Sequence, residues 1–213
     1  AAIFSILLSE NIWLPLSPEN PHTRNIEILQ QTNAAVLMHE GDRLDDSLAG
    51  YCAENEIKTL SIDTILAGDR EKEFELSEFK KDDLAYIMFT SGSTGIPKGV
   101  PMTHENYINF VINALDLLPF REGEIFADFH DFSFDISIFY LFTFPMVQGA
   151  ISPIMEQKDK VIPVNHIMEN AVTVWASVPS VINRIKMLRP VDPVETSLRI
   201  MFLCGEPLKL DVL

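Results

Sequence analysis

Short apolar runs alternate with amphipathic helical patterns along the whole of this sequence, and that alternation limits the fold more than any other feature. Residues 34–38 (AAVLM), 84–89 (LAYIMF), 172–175 (VTVW) and 199–203 (RIMFL) are brief and almost uninterrupted in apolarity. Runs of this kind suit strands covered on both faces, as in parallel sheets. Helix signals stand between them. Asn20-Pro21 offers an N-cap followed by a proline at the first helical position, with Ile26 and Leu29 as the apolar face. Thr103 caps a second helix carrying Tyr107, Phe110, Val111 and Ala114, and a third begins at 177–179 with Val181, Ile182 and Ile185. Strand–helix–strand alternation predicts an α/β fold of layered, largely parallel sheets flanked by helices.

Composition removes several classes of function. Of 213 residues, 47% are hydrophobic and 22% charged, which excludes wholesale disorder. The 31 Asp and Glu outnumber the 16 Lys and Arg, for a formal net charge of −15. Such a field repels phosphate backbones and anionic bilayers, and the densest basic spot, Lys80-Lys81, is followed at once by Asp82-Asp83. Neither nucleic acid nor a membrane is expected as a partner. The longest apolar stretch, 136–151, is broken by Ser137, Thr143, Pro145 and Gln148, too short and too polar for a bilayer span. Cys52 and Cys204 stand alone, which argues against structural zinc or a disulfide framework and for a reducing, cytoplasmic compartment. Residues 68–83, rich in Glu and Lys, read as a charged, solvated connection before the central strand. Hydrophobic patterns are already running at Ala1 and still running at Leu213, so the chain reads as part of a longer protein.

The segment richest in chemistry is Thr90-Ser91-Gly92-Ser93-Thr94-Gly95-Ile96-Pro97-Lys98-Gly99, directly after the strand predicted to end at Phe89. Its glycines let the backbone turn tightly and bring N–H groups close to phosphate oxygens. Four hydroxyls add donors and Lys98 adds a positive charge. A flexible turn is the plain alternative, but hydroxyls and a lysine this concentrated after a buried strand favour a polyphosphate cradle. No Gly-x-x-x-x-Gly-Lys-Ser/Thr frame fits it, so it is not a Walker A loop.

Position for position, this segment resembles the core signature of the adenylate-forming (AMP-binding) superfamily, which includes acyl-CoA synthetases, luciferases and peptide-synthetase adenylation domains. Residues 86–89 before it, 99–104 after it, and Asn11-Ile12-Trp13-Leu14-Pro15-Leu16-Ser17-Pro18 upstream are similar to further stretches of that family, with Ser17 where Asp is usual. The resemblance implies ATP and Mg²⁺ as cofactors. Thr90, Ser91, Gly92, Ser93, Thr94, Gly95 and Lys98 would hold the nucleotide's phosphates, with Thr94 and Lys98 in catalytic roles. It also implies a carrier protein with a phosphopantetheine thiol as acyl acceptor.

Phe134-Asp135-Ile136-Ser137 follows an aromatic-rich strand at 125–129 and opens a helix predicted over 136–148. Taken alone, Asp135 reads as that helix's N-cap and the neighbouring aromatics as core. The Phe-Asp-x-Ser pattern resembles the motif by which amino-acid-activating members hold the substrate ammonium with a buried carboxylate. By the same resemblance Phe134, Asp135, Ile136, Phe139 and Cys204 bind substrate. Bulky Ile136 and Phe139 would leave a shallow cavity, which implies alanine, glycine or another small amino acid. Cys204 alone would read as a small buried core residue. Residues 174–180 and 201–206 are similar to D-alanine–carrier-protein ligases, although Phe139 and Tyr140 depart from them. Gly205, Glu206 and Pro207 would lie against the adenine, by resemblance only. The histidines are scattered; His104 reads as a helix-start residue, His130 falls near the expected pocket, and none is read as catalytic.

The family's remaining parts are not found in these residues: a Tyr-Gly-Pro-Thr-Glu stretch, a ribose-binding Asp, a hinge and the C-terminal lid with its Lys. Residues 1–213 are therefore expected to be a partial N-terminal adenylation domain, inactive alone. Two other readings stay open: an acyl- or aryl-CoA ligase, and a non-catalytic binding module of the same fold.

Overall fold

The computed structural model describes residues 2–41, 44–68, 78–91, 95–188 and 196–208, which divide into two compact units, Ala1–His104 and Glu105–Leu213.

In the first unit the order is α1 (Ala2–Leu8), α2 (His22–Gln30), β1 (Val36–His39), α3 (Asp46–Glu54), β2 (Lys58–Ser61), α4 (Ile62–Ala67), β3 (Leu84–Ser91) and β4 (Pro97–Thr103). β1 and β2 pair in parallel, and Leu29, Leu37, Leu48, Cys52 and Ile57 are buried together around them. Asp45 caps α3 through its carboxylate, which accepts from Ser47 N at 2.9 Å and Leu48 N at 3.3 Å. The predicted Asn20 cap is corrected by one residue. Pro21 occupies the N-cap position and its carbonyl accepts from Arg24 N at 2.9 Å, while the Asn20 amide donates to Asn25 Oδ1 at 3.1 Å.

The central strand also departs from expectation. β3 continues to Ser91 and pairs antiparallel with β4, in register from Phe89 opposite Gly99 to Ser91 opposite Pro97. Of the segment expected to be a loop, Thr90 and Ser91 therefore belong to β3, and Pro97, Lys98 and Gly99 to β4. Prolines at 97 and 101 disguise β4 in the sequence as a loop. Both are tolerated because β4 pairs on one side only, and residues an even number apart direct their missing N–H groups to the same edge. Of the 68–83 connection, residues 69–77 lie outside the described residues. Phe79 stacks on His104 at 4.2 Å, and Lys80 N donates to the Asp83 carboxylate at 2.8 Å.

The second unit holds α5 (His104–Leu117), β5 (Ile125–Asp128), α6 (Ile136–Thr143), a 3₁₀ turn (Phe144–Val147), β6 (Ala150–Pro153), α7 (Gln157–Val161), α8 (Val164–Glu169), β7 (Val174–Ser177), α9 (Pro179–Leu188) and β8 (Ile200–Leu203). Its four strands are all parallel, in the order β6-β5-β7-β8. All four residues of β7 are buried, and Trp175 packs with Ala127, Ile154, Ile167, Val172 and Val181. The chain thus has the α/β architecture of parallel sheets flanked by helices, the β3–β4 hairpin excepted. The helix expected over 136–148 is α-helical only to Thr143. Pro145 has no N–H for the α ladder and its ring would crowd the carbonyl four residues back, so the chain tightens into the 3₁₀ turn.

Electrostatics tie the starting ends of this sheet. Glu124, 2% exposed, accepts from Arg121 N at 2.8 Å and pairs with Arg199, 75 residues away. Burial pushes the Glu124 carboxyl upward, but bonds from Thr173, Arg199 and Arg121 together with the guanidinium charge outweigh it and hold it below its usual value.

Candidate functional site

In the parallel sheet the connection leaving β5 runs to β6 on one side, while β7 and β8 lie on the other. The sheet therefore has a topological switch point between β5 and β7, and in open α/β sheets ligands bind outside the carboxyl ends of the strands at such a point. Of the candidate residues expected for the substrate, Phe134 and Asp135 follow β5 and Cys204 follows β8; of those expected for the adenine, Gly205 and Glu206 also follow β8.

The segment leaving β5 is held firmly. The Tyr140 hydroxyl, carried on α6, lies 2.6 Å from Asp128 Oδ1 and 2.9 Å from the His130 carbonyl. Burial raises the Asp128 carboxyl pKa despite the Tyr140 hydrogen bond, and burial with the Asp128 charge raises the Tyr140 hydroxyl. Asp131 then closes an Asx turn by accepting from Ser133 N at 2.8 Å. No local pattern announces the Asp128–Tyr140 pair, which joins a strand end to a helix face 12 residues on.

Asp135 follows this turn at the start of α6 with helical backbone angles, φ −61° and ψ −26°, and its side chain makes no capping bond. Asp135 thus occupies the N-cap position, as the residues alone suggested, but makes no cap: its backbone is already helical, whereas a capping side chain needs the backbone turned out of the helix to reach the N–H groups. The carboxylate is exposed, where the resemblance implied a buried one, and Phe134 beside it is 62% exposed. Its charge acts on the His130 ring and on Cys204, whose thiol is raised first by burial and then by Asp135.

Ile136 is buried and Phe139 is 1% exposed. The Phe139 ring stacks on Phe202 at 4.6 Å and 13°, with Phe110, Phe120 and Phe126 around it at 6.2–6.5 Å. Phe126, Phe139, Tyr140 and Phe142 form core, as the residues alone suggested, whereas Phe134 does not. Cys204 N donates to the Ser177 carbonyl at 3.2 Å, continuing the β7–β8 ladder by one step. Gly205 sits at φ +80°, a backbone state open to glycine, and an added Cβ would meet Val178 at 3.2 Å. Glu206 has a structural use the sequence did not suggest. Its carboxylate accepts from Ser180 N and Ser180 Oγ, each at 2.9 Å, at the amino end of α9. Pro207 is exposed.

At the hairpin tip Gly92, Ser93 and Thr94 lie outside the described residues. Thr90 Oγ1 donates to the Lys98 carbonyl at 3.4 Å across the hairpin neck. Gly95 has φ +83° with open space where a Cβ would stand, and Lys98 is exposed. An open turn bearing glycine and an adjacent exposed ammonium fits a phosphate group. Among the described residues no group of three or more His, Cys, Asp or Glu side chains could hold a metal ion, and no helix is long and apolar enough to cross a membrane.

The fold is one shared with solved adenylate-forming enzymes. The profile of AMP-binding enzymes matches residues 1–213, and the chain belongs to that family. It is 29% identical over 213 residues to a plipastatin synthase polypeptide of Bacillus subtilis, covering 97% of this chain and 8% of the relative. It is 29% identical over 209 residues to an L-proline–[L-prolyl-carrier protein] ligase of Pseudomonas fluorescens, covering 92% of this chain and 41% of that one. The o-succinylbenzoate CoA synthetase of Bacillus subtilis, solved with an acyl-adenylate intermediate, superposes with a TM-score of 0.79 at 19% identity, over 97% of this chain and 52% of the other. The chain thus spans less than half the length of these two sequence relatives.

Proposed function

We propose that these residues are part of the large N-terminal domain of an enzyme that activates a small amino acid, of alanine or glycine type, with ATP and passes it to a carrier-protein thiol. In this reading a carboxylate oxygen of the amino acid attacks the α-phosphorus of ATP, the bond to the β-phosphate bridging oxygen breaks, and pyrophosphate leaves. A phosphopantetheine sulfur then attacks the acyl carbon and AMP departs. The first step brings an anion onto a polyanion, so neutralising charge is the main catalytic demand. Thr90, Ser91, Gly92, Ser93, Thr94, Gly95 and Lys98 hold the phosphates, a bound Mg²⁺ would neutralise part of their charge, and 205–207 meet the adenine. Phe134, Asp135, Ile136, Phe139 and Cys204 bind the amino acid, Asp135 on its ammonium and the packed Phe139 as a floor that limits side-chain length.

The observation that carries this reading is that Asp135, at a helix start, caps nothing, while its charge reaches groups at the carboxyl ends of two strands. Relatives named as a carrier-protein ligase and a plipastatin synthase support an amino-acid substrate. A second reading, an aryl-CoA ligase, is favoured by the likeness in fold to o-succinylbenzoate CoA synthetase.

Pyrophosphate exchange by the full-length protein, with alanine and glycine against their deaminated acids, separates the two. Asp135→Asn sharpens the test. A charge pair at 4 Å is worth about 1 kcal/mol in water and about 4 kcal/mol at an effective dielectric near 20. Because Asp135 is exposed, kcat/KM should fall about fivefold to a thousandfold, with the melting temperature unchanged because no cap is lost. Full activity in Asp135→Asn, or equal exchange with the deaminated acids, refutes the amino-acid reading.

A further inference from the structure

Tyr140 reaches back from α6 onto the segment that ends in Asp135. Its side chain is 1% exposed, and its hydroxyl lies 2.6 Å from Asp128 Oδ1 and 2.9 Å from the His130 carbonyl. Ser137, one turn earlier on the same helix and fully buried, donates to the Phe132 carbonyl at 3.4 Å. Residues 128, 130 and 132 are thus each bonded from α6. Between them and the helix, Asp131 accepts from Ser133 N at 2.8 Å through its carboxylate and from Phe134 N at 3.0 Å through its carbonyl. Asp135 is the residue at which this tied segment enters α6.

One hydrogen at Tyr140 faces two neighbours. A phenolic hydroxyl has a single hydrogen, and both nearby oxygens stand at full hydrogen-bond distance. The His130 carbonyl can only accept, and so could an ionised Asp128. A protonated Asp128 satisfies all three groups: its O–H donates to the Tyr140 oxygen, and the Tyr140 hydrogen goes to the His130 carbonyl. The surroundings favour the neutral acid, since Asp128, Asp131 and Asp135 crowd three carboxyls into eight residues. Burial raises the Asp128 carboxyl above its usual value, the Tyr140 bond and the Lys160 charge on α7 oppose the rise, and Asp131 adds to it. His130 shares the segment. The flanking strands β6 (AISP) and β7 (VWAS) bring no titratable side chain, and α6 brings Tyr140 alone.

We propose that Tyr140 is a positioning residue for the amino-acid substrate, its hydroxyl accepting from a protonated Asp128 and donating to the His130 carbonyl so that the segment delivers Asp135 to one fixed place. An exposed carboxylate on a loose segment spends part of its attraction for an ammonium on ordering itself; one braced from behind does not. The brace is complete below the Asp128 pKa and loses its donor as pH rises through it. The proposal rests on the amino-acid reading above.

The test is amino-acid-dependent pyrophosphate exchange by the full-length protein. Tyr140→Phe keeps the ring and removes the hydroxyl, and should raise the amino-acid KM about threefold to tenfold with the ATP KM within about twofold. Made on top of Asp135→Asn, the same substitution should add less than about twofold, because nothing is left to position. A role in stability alone would lower the melting temperature and cost the same factor in both backgrounds, and that result overturns the proposal. If Tyr140→Phe does not fold, Asp128→Ala, which removes the donor, takes its place in the same pair of backgrounds with the same expectation. Carbon-13 NMR of carboxyl-labelled aspartate reads the proton directly, with the Asp128 signal assigned by its loss in Asp128→Asn. At about pH 5.5, where an ordinary aspartate is ionised, the signal should have the shift of a protonated acid, and a carboxylate shift refutes the assigned proton. Full activity in Asp135→Asn alone fails the amino-acid reading and this proposal with it. A crippled Asp135→Asn beside an indifferent Tyr140→Phe removes only the positioning role.

Discussion

Removing the guanidinium of Arg199 tests the account of the sheet most directly. Arg199 pairs with Glu124, whose side chain is 2% exposed while the arginine is 26% exposed. In Arg199→Met the carboxylate keeps the Arg121 N–H and the Thr173 bond but loses its only opposite charge among the described partners. Breaking a buried pair from one side costs about 3–5 kcal/mol, and the partial exposure of Arg199 places this case near the lower end, about 3 kcal/mol. The pH dependence has a fixed sign. With the pair intact the folded pKa of Glu124 lies below its unfolded value, so its stabilising contribution is full above the ordinary glutamate range and is lost as pH falls through the folded pKa. Without the arginine, burial is opposed only by the Thr173 and Arg121 bonds, so that pKa rises from its native position and acidification relieves the variant by protonating the buried carboxyl. Urea unfolding followed by fluorescence at about pH 7 and about pH 4.5 should therefore show a large gap between native and variant proteins that narrows at the lower pH. Glu124→Gln combined with Arg199→Met should recover much of the loss, because a neutral amide no longer needs the charge. An Arg199→Met protein within about 1 kcal/mol of the original, or a gap that widens on acidification, would refute the reasoning.

Two further outcomes bear on the nucleotide side. Glu206→Ala leaves the start of α9 without its carboxylate cap and should cost about 1 kcal/mol in denaturant unfolding, with Glu206→Gln losing less; no change in either would remove the capping role. In the full-length protein, Lys98→Ala and Thr94→Ala should lower the exchange rate more than they raise the amino-acid KM, because departing phosphates gain charge in the transition state, and unchanged turnover in both would reduce the hairpin tip to a plain turn.

Much of the architecture was legible in the residues. Apolar runs at 84–89, 172–175 and 199–203 fall on β3, β7 and β8, but only β7 is buried throughout; Leu84 and Met201 are exposed, so β3 and β8 are not covered on both faces as expected. The Thr90–Gly99 segment announced a turn through its own glycines and hydroxyls. β2, β4 and β6 were not legible: KTLS and AISP are too short and mixed, and PKGVPMT carries two prolines.

The sequence by itself determined the α/β class, the family signature and the identity of the charged and hydroxyl groups, because periodicity and turn chemistry act within a few residues. Only the tertiary structure decided which of those groups meet. Asp135 keeps the N-cap position its place suggested but makes no capping bond, its backbone being already helical. Glu206 gained such a role because β8 brings it to Ser180, 26 residues back. Glu124 and Arg199 become partners across 75 residues through the strand order β5-β7-β8. Contacts of that range depend on how strands are ordered in the sheet, and strand order is set by the burial of whole faces, which no local pattern records.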